Sequence, residues 1–137
     1  MRITLLGAGN LAFGYAAWFA HCGHAVTIWS PSGRGTAGIG DGIQYRGVIR
    51  GTALVKVAAP IGEAIAGAAI IVFALPANAH HAVMTAAAPH INNDHTVLVT
   101  PVSSLSPLTL ARELAARHVT PLIIGSGTTL LTARRHD

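Results

Sequence analysis

Apolar and polar positions along the chain switch repeatedly between a strand-like and a helix-like period. Residues 2–6 form a short, largely apolar run of the kind a central parallel strand needs, because both faces of such a strand are covered. From Asn10 onward the spacing changes: Leu11, Tyr15, Phe19 and Cys22 recur at intervals of three to four, one face of a helix, and Gly23 is a suitable stop. Cys22 is expected to be a small core residue closing that helix. Residues 24–29 predict a second strand, 53–57 a third, 61–66 a brief helix, and 69–74 a β-branched, buried fourth strand. Asn78 is placed to cap a helix that runs to about Ala88 before Pro89 ends it. Residues 95–100 predict a fifth strand. Ser106 is expected to cap the next helix, with Pro107 at its first position and Glu113 and Arg117 four apart, ending near His118. Residues 122–124 make a sixth strand.

Between Ser30 and Gly51 the pattern lapses. Gly33, Gly35, Gly38, Gly40, Gly42, Gly47 and Gly51 are too dense for a stable helix and predict a long, mobile loop. Strands alternating with helices imply parallel strands joined by crossovers. The fold class is therefore α/β, a doubly wound parallel sheet of the Rossmann kind with about six strands in the order 3-2-1-4-5-6.

Composition narrows the function classes. The chain has 137 residues, 51% of them hydrophobic and 10% charged, which suits one globular core and excludes a disordered protein. Its net charge of +4 arises from scarcity of acid, since only Asp41, Glu63, Asp94, Glu113 and Asp137 oppose nine basic residues. The arginines are scattered without interleaved aromatics, so an anionic small ligand is expected and nucleic acid is not. The eight histidines come without a cysteine cluster or a carboxylate-histidine motif, and no metal is expected. Glu63 and Glu113 read as helix-surface charges. The start of the chain, Arg2 and an apolar stretch to Cys22, has the outline of a secretory or lipoprotein signal. Gly7, Gly9 and Asn10 break that stretch into strand, turn and helix. No segment offers about 20 unbroken apolar residues, so no membrane span is expected. Cys22 has no disulfide partner within the chain, and a reducing cytoplasm is the expected setting.

Chemistry enters at the turn Gly7-Ala8-Gly9-Asn10-Leu11-Ala12, which follows a strand and opens a helix. A pyrophosphate must approach backbone amides more closely than side chains allow. Gly7 permits the tight turn, Gly9 leaves room for the phosphates, Ala12 lets the helix pack closely on the sheet, and the amides of Asn10 and Leu11 begin the helix facing the anion. The expected ligand is a nicotinamide dinucleotide. About twenty positions on, such turns usually present an acid to the adenosine ribose. Here the second strand ends in Ser30, followed by Ser32 and Arg34, with no carboxylate. These groups would welcome the 2′-phosphate of NADP, which an acid would repel. If they are ordinary loop residues, either NADP or NAD binds. Leu75 and Pro76 after the fourth strand and Pro101 after the fifth should approach the nicotinamide half. His80 and His81 follow within reach of substrate, although tandem histidines at a helix start are usually solvated.

Three segments carry a family resemblance: residues 3–10, residues 23–29, and the strand, proline and histidine of residues 71–80. With them the chain resembles the N-terminal domain of the 6-phosphogluconate-dehydrogenase-like dehydrogenases, and most closely the octopine/nopaline (opine) dehydrogenase family. The resemblance implies an oxidoreductase that reduces the imine of a 2-oxo acid and an amino acid with NADH or NADPH. Glycerol-3-phosphate dehydrogenases share the glycine turn and the proline but carry a lysine after the fifth strand, where this chain has Pro101-Val102-Ser103-Ser104. Ketopantoate reductases place an asparagine-glycine pair nearby, which is also missing. The resemblance further implies a C-terminal helical domain supplying the catalytic histidine and its acidic partner, so no catalytic residue is assigned here. On this reading residues 1–124 are the dinucleotide-binding domain and 125–137 begin the passage to a missing C-terminal domain. The alternatives are a glycerol-3-phosphate-dehydrogenase-like or ketopantoate-reductase-like oxidoreductase domain, a non-catalytic cofactor-binding module or subunit, and a small reductase completed by a homodimer partner. Exposure of Leu122, Ile123, Ile124, Leu130 and Leu131 would favour an assembly.

Overall fold

The computed structural model describes residues 1–40 and 42–136; Asp41, in the glycine-rich segment, and Asp137 lie outside the described residues. The chain runs β1 (Arg2–Leu6), α1 (Asn10–His21), β2 (Ala25–Trp29), a 3-10 turn (Arg34–Thr36), β3 (Ile43–Tyr45), β4 (Gly51–Ala53), β5 (Val55–Val57) and α2 (Ile61–Ile65). It continues through β6 (Ile70–Phe73), α3 (Ala77–Ala87), a 3-10 turn (Ala88–His90), β7 (Thr96–Val99), α4 (Ser106–Ala115) and β8 (Leu122–Gly125).

Six strands form one parallel sheet in the order β5-β2-β1-β6-β7-β8. Counted along this sheet alone, the order is 3-2-1-4-5-6, and the numbering departs from it only because the hairpin β3–β4 intervenes. That hairpin corrects the expectation that the stretch from Ser30 to Gly51 is one long loop. Ile43 pairs with Ala53 and Tyr45 with Gly51, and the Tyr45 hydroxyl reaches His21 Nδ1 at 3.3 Å on the end of α1. Gly51, at φ 155°, supplies a backbone conformation closed to larger residues, and a Cβ there would meet the Tyr45 ring. The expected third strand therefore divides at Leu54: Ala53 belongs to the hairpin and Val55–Val57 to the main sheet.

Alternation along β1 sorts the core into two layers. Ile3 and Leu5 face α1, where they pack with Ala12, Tyr15, Ala16, Val26, Ile28 and Val72. Leu6 faces the other side, where Ile65 of α2, Val83 and Met84 of α3, and Leu110 and Leu114 of α4 pack on Ile71, Phe73, Val97 and Val99. Thr4, on that same face, satisfies its hydroxyl on the Ala64 carbonyl.

Several local expectations are corrected. Cys22 is exposed: the buried face of α1 is Ala12, Tyr15, Ala16 and Ala17, where small side chains let the helix lie close to the sheet. α3 starts at Ala77 after Pro76, with no side-chain cap from Asn78. In α4 the cap position is Leu105; Ser106 is already helical and turns its hydroxyl elsewhere. The helix ends at Ala115, short of His118. Glu63 pairs with Lys56 at 2.7 Å on the surface, an exposed contact worth little. No described helix is long and apolar enough to cross a membrane. Among the described residues, no three His, Cys, Asp or Glu side chains come together as a metal site.

His95, just before β7, is buried, and its Nδ1 accepts the Asn92 backbone amide at 2.9 Å. Burial holds its pKa below the usual 6.5, against the opposing pull of the nearby Asp94 carboxylate. Its folded pKa is thus depressed relative to the unfolded chain, which binds the proton first as pH falls. His95 is neutral in both states above 6.5 and costs nothing there; stability declines as pH drops from 6.5 toward the folded pKa. Urea midpoints at pH 7.5 and 5.5 should show this decline, and His95→Asn should make the decline smaller.

Candidate functional site

Because every strand of the main sheet is parallel, the segments leaving their carboxyl ends gather at one edge. At its centre lies the turn between β1 and α1. Gly7 is buried at φ 132°, its amide donating to the Trp29 carbonyl at 2.8 Å. A Cβ on it would collide with the Ala74 carbonyl and stand 3.2 Å from Leu75 Cδ2. The β6 exit therefore presses on the turn, which places Leu75 beside Gly7. Gly9 differs: its backbone is extended, it is exposed, and a Cβ would meet no described residue within 4 Å. Ala12 is fully buried and seats α1 on the sheet, while Asn10 and Leu11 begin the helix. Among the described residues no side chain caps α1, so its first amides point outward with the positive end of the helix dipole behind them.

The glycine-rich segment folds back on this turn. A Cβ on Gly35 would stand 2.8 Å from that of Ala8, so the 3-10 turn abuts Ala8 directly and brings Arg34 to the same edge. Next to it Ser30, Pro31, Ser32, Gly33, Thr36 and Val57–Ala59 line a cleft of about 290 Å³. Ser30 is 9% exposed and its Oγ has no hydrogen-bond partner among the described residues, whereas Ser32 and Arg34 are exposed, with the Arg34 amide donating to Ser32 Oγ at 3.4 Å. A buried hydroxyl without a partner costs on the order of 1–3 kcal/mol, a cost that a ligand oxygen in the cleft would remove.

The far side of the edge is formed by the exits of β6 and β7. Leu75 is buried, Pro76 exposed and Pro101 partly buried. His80, expected to be solvated, is 3% exposed: Nε2 lies 3.1 Å from the Leu75 carbonyl and Nδ1 3.0 Å from Ser106 Oγ. The carbonyl can only accept, so Nε2–H donates to it, while Nδ1 shares the second bond with the Ser106 hydroxyl. His80 thereby ties α3 to α4, and His81 alone of the pair is exposed. Both line a cleft of about 430 Å³ with Ser103–Ser106, Met84 and Glu113.

Sequence reasoning missed the Tyr15–Thr100 pair, in which two buried hydroxyls meet at 2.9 Å beneath this edge. The signal was present: a tyrosine on an otherwise apolar helix face needs a polar partner when buried.

A tight glycine turn between a buried strand and an uncapped helix, at the carboxyl edge of a sheet ordered 3-2-1-4-5-6, defines the dinucleotide-binding domain of a dehydrogenase. Residues 2–101 match the model of the NAD-dependent glycerol-3-phosphate dehydrogenase N-terminus, and the chain belongs to that family. No curated protein matches it significantly by sequence. Among solved structures, octopine dehydrogenase with NADH and pyruvate is similar at 19% identity and a TM-score of 0.79, over 91% of this chain and 35% of that one. A PanE/ApbA family ketopantoate reductase from Ralstonia eutropha is similar at 17% identity and a TM-score of 0.67, over 90% and 40%. An imine reductase from Streptomyces aurantiacus gives 18% and 0.65, over 90% and 39%. At such identities the likeness is one of fold, and the chain spans well under half the length of these relatives.

Proposed function

We propose that this domain binds NADP(H) in preference to NAD(H) and is the cofactor half of an opine-type, imine-reducing dehydrogenase. The observation that carries the cofactor preference is the buried Ser30 Oγ, unpartnered among the described residues, in a cleft whose described lining residues include no carboxylate. On this reading Ser30 and Ser32 donate to a 2′-phosphate and Arg34 supplies the opposing charge. Gly7, Ala8, Gly9, Asn10 and Leu11 receive the pyrophosphate with backbone amides, and Ala12 holds the helix at the required distance. Leu75, Pro76 and Pro101 form an apolar wall that keeps water from the nicotinamide. When bound, the cofactor supplies or accepts a hydride. The protein must also hold the substrate and deliver a proton, for which we assign no residue within the chain.

Residues 1–124 make the cofactor domain and 125–137 lead toward a C-terminal helical domain, or a homodimer partner, that completes the site in a cytoplasmic enzyme. Three features support an assembly surface: Leu122 is 61% exposed, Ile124 45% and Leu130 62%, whereas Ile123 and Leu131 pack on the core. The imine class rests on the resemblance to opine dehydrogenases and on the loop Pro101–Ser104, which offers serines where a glycerol-3-phosphate dehydrogenase carries lysine.

Fluorescence titration with NADPH and NADH tests the preference. NADPH is expected to bind about tenfold or more tightly, a difference of about 1.4 kcal/mol. Arg34→Ala should erase most of that difference, and Ser30→Asp should reverse it by placing an acid against the 2′-phosphate. Equal affinities for the two cofactors in the unaltered protein would sink the assignment of Ser30, Ser32 and Arg34.

A further inference from the structure

Beyond β8 the chain turns back and lies along α1 as a strap. Its attachment is specific at three levels. The Tyr15 hydroxyl accepts the Leu130 amide at 3.0 Å and pairs with Thr100 Oγ1, which in turn donates to the Thr128 carbonyl at 3.4 Å. Leu131 and Ala133 cross the helix over Gly14, where a Cβ would stand 2.6 Å from a side-chain carbon of each. At the far end the Arg135 amide donates to Asn10 Oδ1 at 3.2 Å, and the Arg135 guanidinium sits 5.5 Å from the centre of the Phe13 ring.

Gly14 is the feature that requires explanation. Glycine inside a helix costs about 1 kcal/mol relative to alanine, yet here it opens the groove through which the strap passes. The strap's destination is the first turn of α1, since Asn10 is the first residue of that helix and Phe13 lies one turn on. This is the uncapped, electropositive terminus that faces the pyrophosphate in the reading above. A guanidinium resting on an aromatic face keeps its in-plane N–H groups free for a phosphate. Arg135 is exposed, so those groups are accessible.

We infer that the strap is a cationic arm of the dinucleotide site, in which Arg135 is a ligand of the cofactor's pyrophosphate and Gly14 is the residue that admits the strap. The inference rests on the dinucleotide reading and adds to it a charge from the opposite end of the chain. Because the pyrophosphate is common to both cofactors, Arg135 acts on them equally, unlike Arg34.

The test is titration of the full chain with NADPH, NADH and ADP-ribose, which retains the pyrophosphate without the nicotinamide. Arg135→Ala is expected to weaken all three by about tenfold, in the range of a lost hydrogen bond to a charged group, with an unchanged circular dichroism spectrum. Arg135→Lys should recover part of the loss. Gly14→Leu should displace the strap and weaken binding similarly, and the double variant should be no worse than either alone. If the unaltered protein binds and Arg135→Ala stays within about twofold for all three ligands, the inference is overturned while the dinucleotide reading stands. If the unaltered protein binds none of them, both fall. Should Gly14→Leu fail to fold, the exposed Arg135 variants decide the matter alone.

Discussion

Replacing Gly9 with tryptophan is expected to abolish binding of NADH and NADPH alike while leaving the fold intact. The backbone at Gly9 is extended, a conformation open to any residue, and a Cβ there meets no atom of the described residues within 4 Å. A large side chain is therefore accommodated by the chain itself, with a stability change expected within about 0.5 kcal/mol, as for other exposed positions. The same open space is what the pyrophosphate must occupy to reach the amides at the start of α1. An indole there denies the anion that approach, and the loss should exceed about a hundredfold, or ~2.7 kcal/mol. Titration by fluorescence and a urea melt, run together, check both halves of the expectation. Retained binding by Gly9→Trp would show that the turn is not the phosphate site.

Gly7→Val should do the reverse and damage the fold first. Gly7 is buried at φ 132°, where a β-branched residue is strained by roughly 1–3 kcal/mol, and its Cβ would run into the Ala74 carbonyl and Leu75. Overpacking of this kind costs a further 1–3 kcal/mol or so, so a loss of about 3 kcal/mol or more is expected. The urea midpoint should fall clearly, and binding should be lost with it. Two glycines separated by one residue thus have different duties: Gly7 lets β1 and the exit of β6 lie against each other, and Gly9 keeps a space clear for a ligand. An unchanged midpoint for Gly7→Val would mean that the turn does not press on β6.

The same separation runs through the rest of the molecule. The alternation of apolar runs with helical periods was enough to predict the main sheet and its order, because a parallel strand covered on both faces must be apolar throughout. It failed at Cys22, since the apolar stripe from Leu11 to Cys22 is not the side of α1 that packs most tightly. The close approach of helix to sheet selects the alanines at 12, 16 and 17 instead. It failed at His80 for a different reason: a histidine at a helix start is solvated unless another element arrives to cover it, and that element, α4 with Ser106, is 26 residues away. The glycine-rich segment was misread because glycine density argues against helix but not against a hairpin, where positive φ at Gly42 and Gly51 is what the backbone requires.

By itself the sequence determined the class of fold, the strand order and the position of the glycine turn, all of which follow from local periodicity and from residues adjacent in the chain. Only the tertiary structure decided which face of α1 is buried, that Ser30 finds no partner among the described residues, that His80 bridges two helices, and that the end of the chain returns to α1 through Gly14. Each of these depends on contacts between distant segments, and the burial that creates them is set by how whole elements pack, which no local pattern encodes.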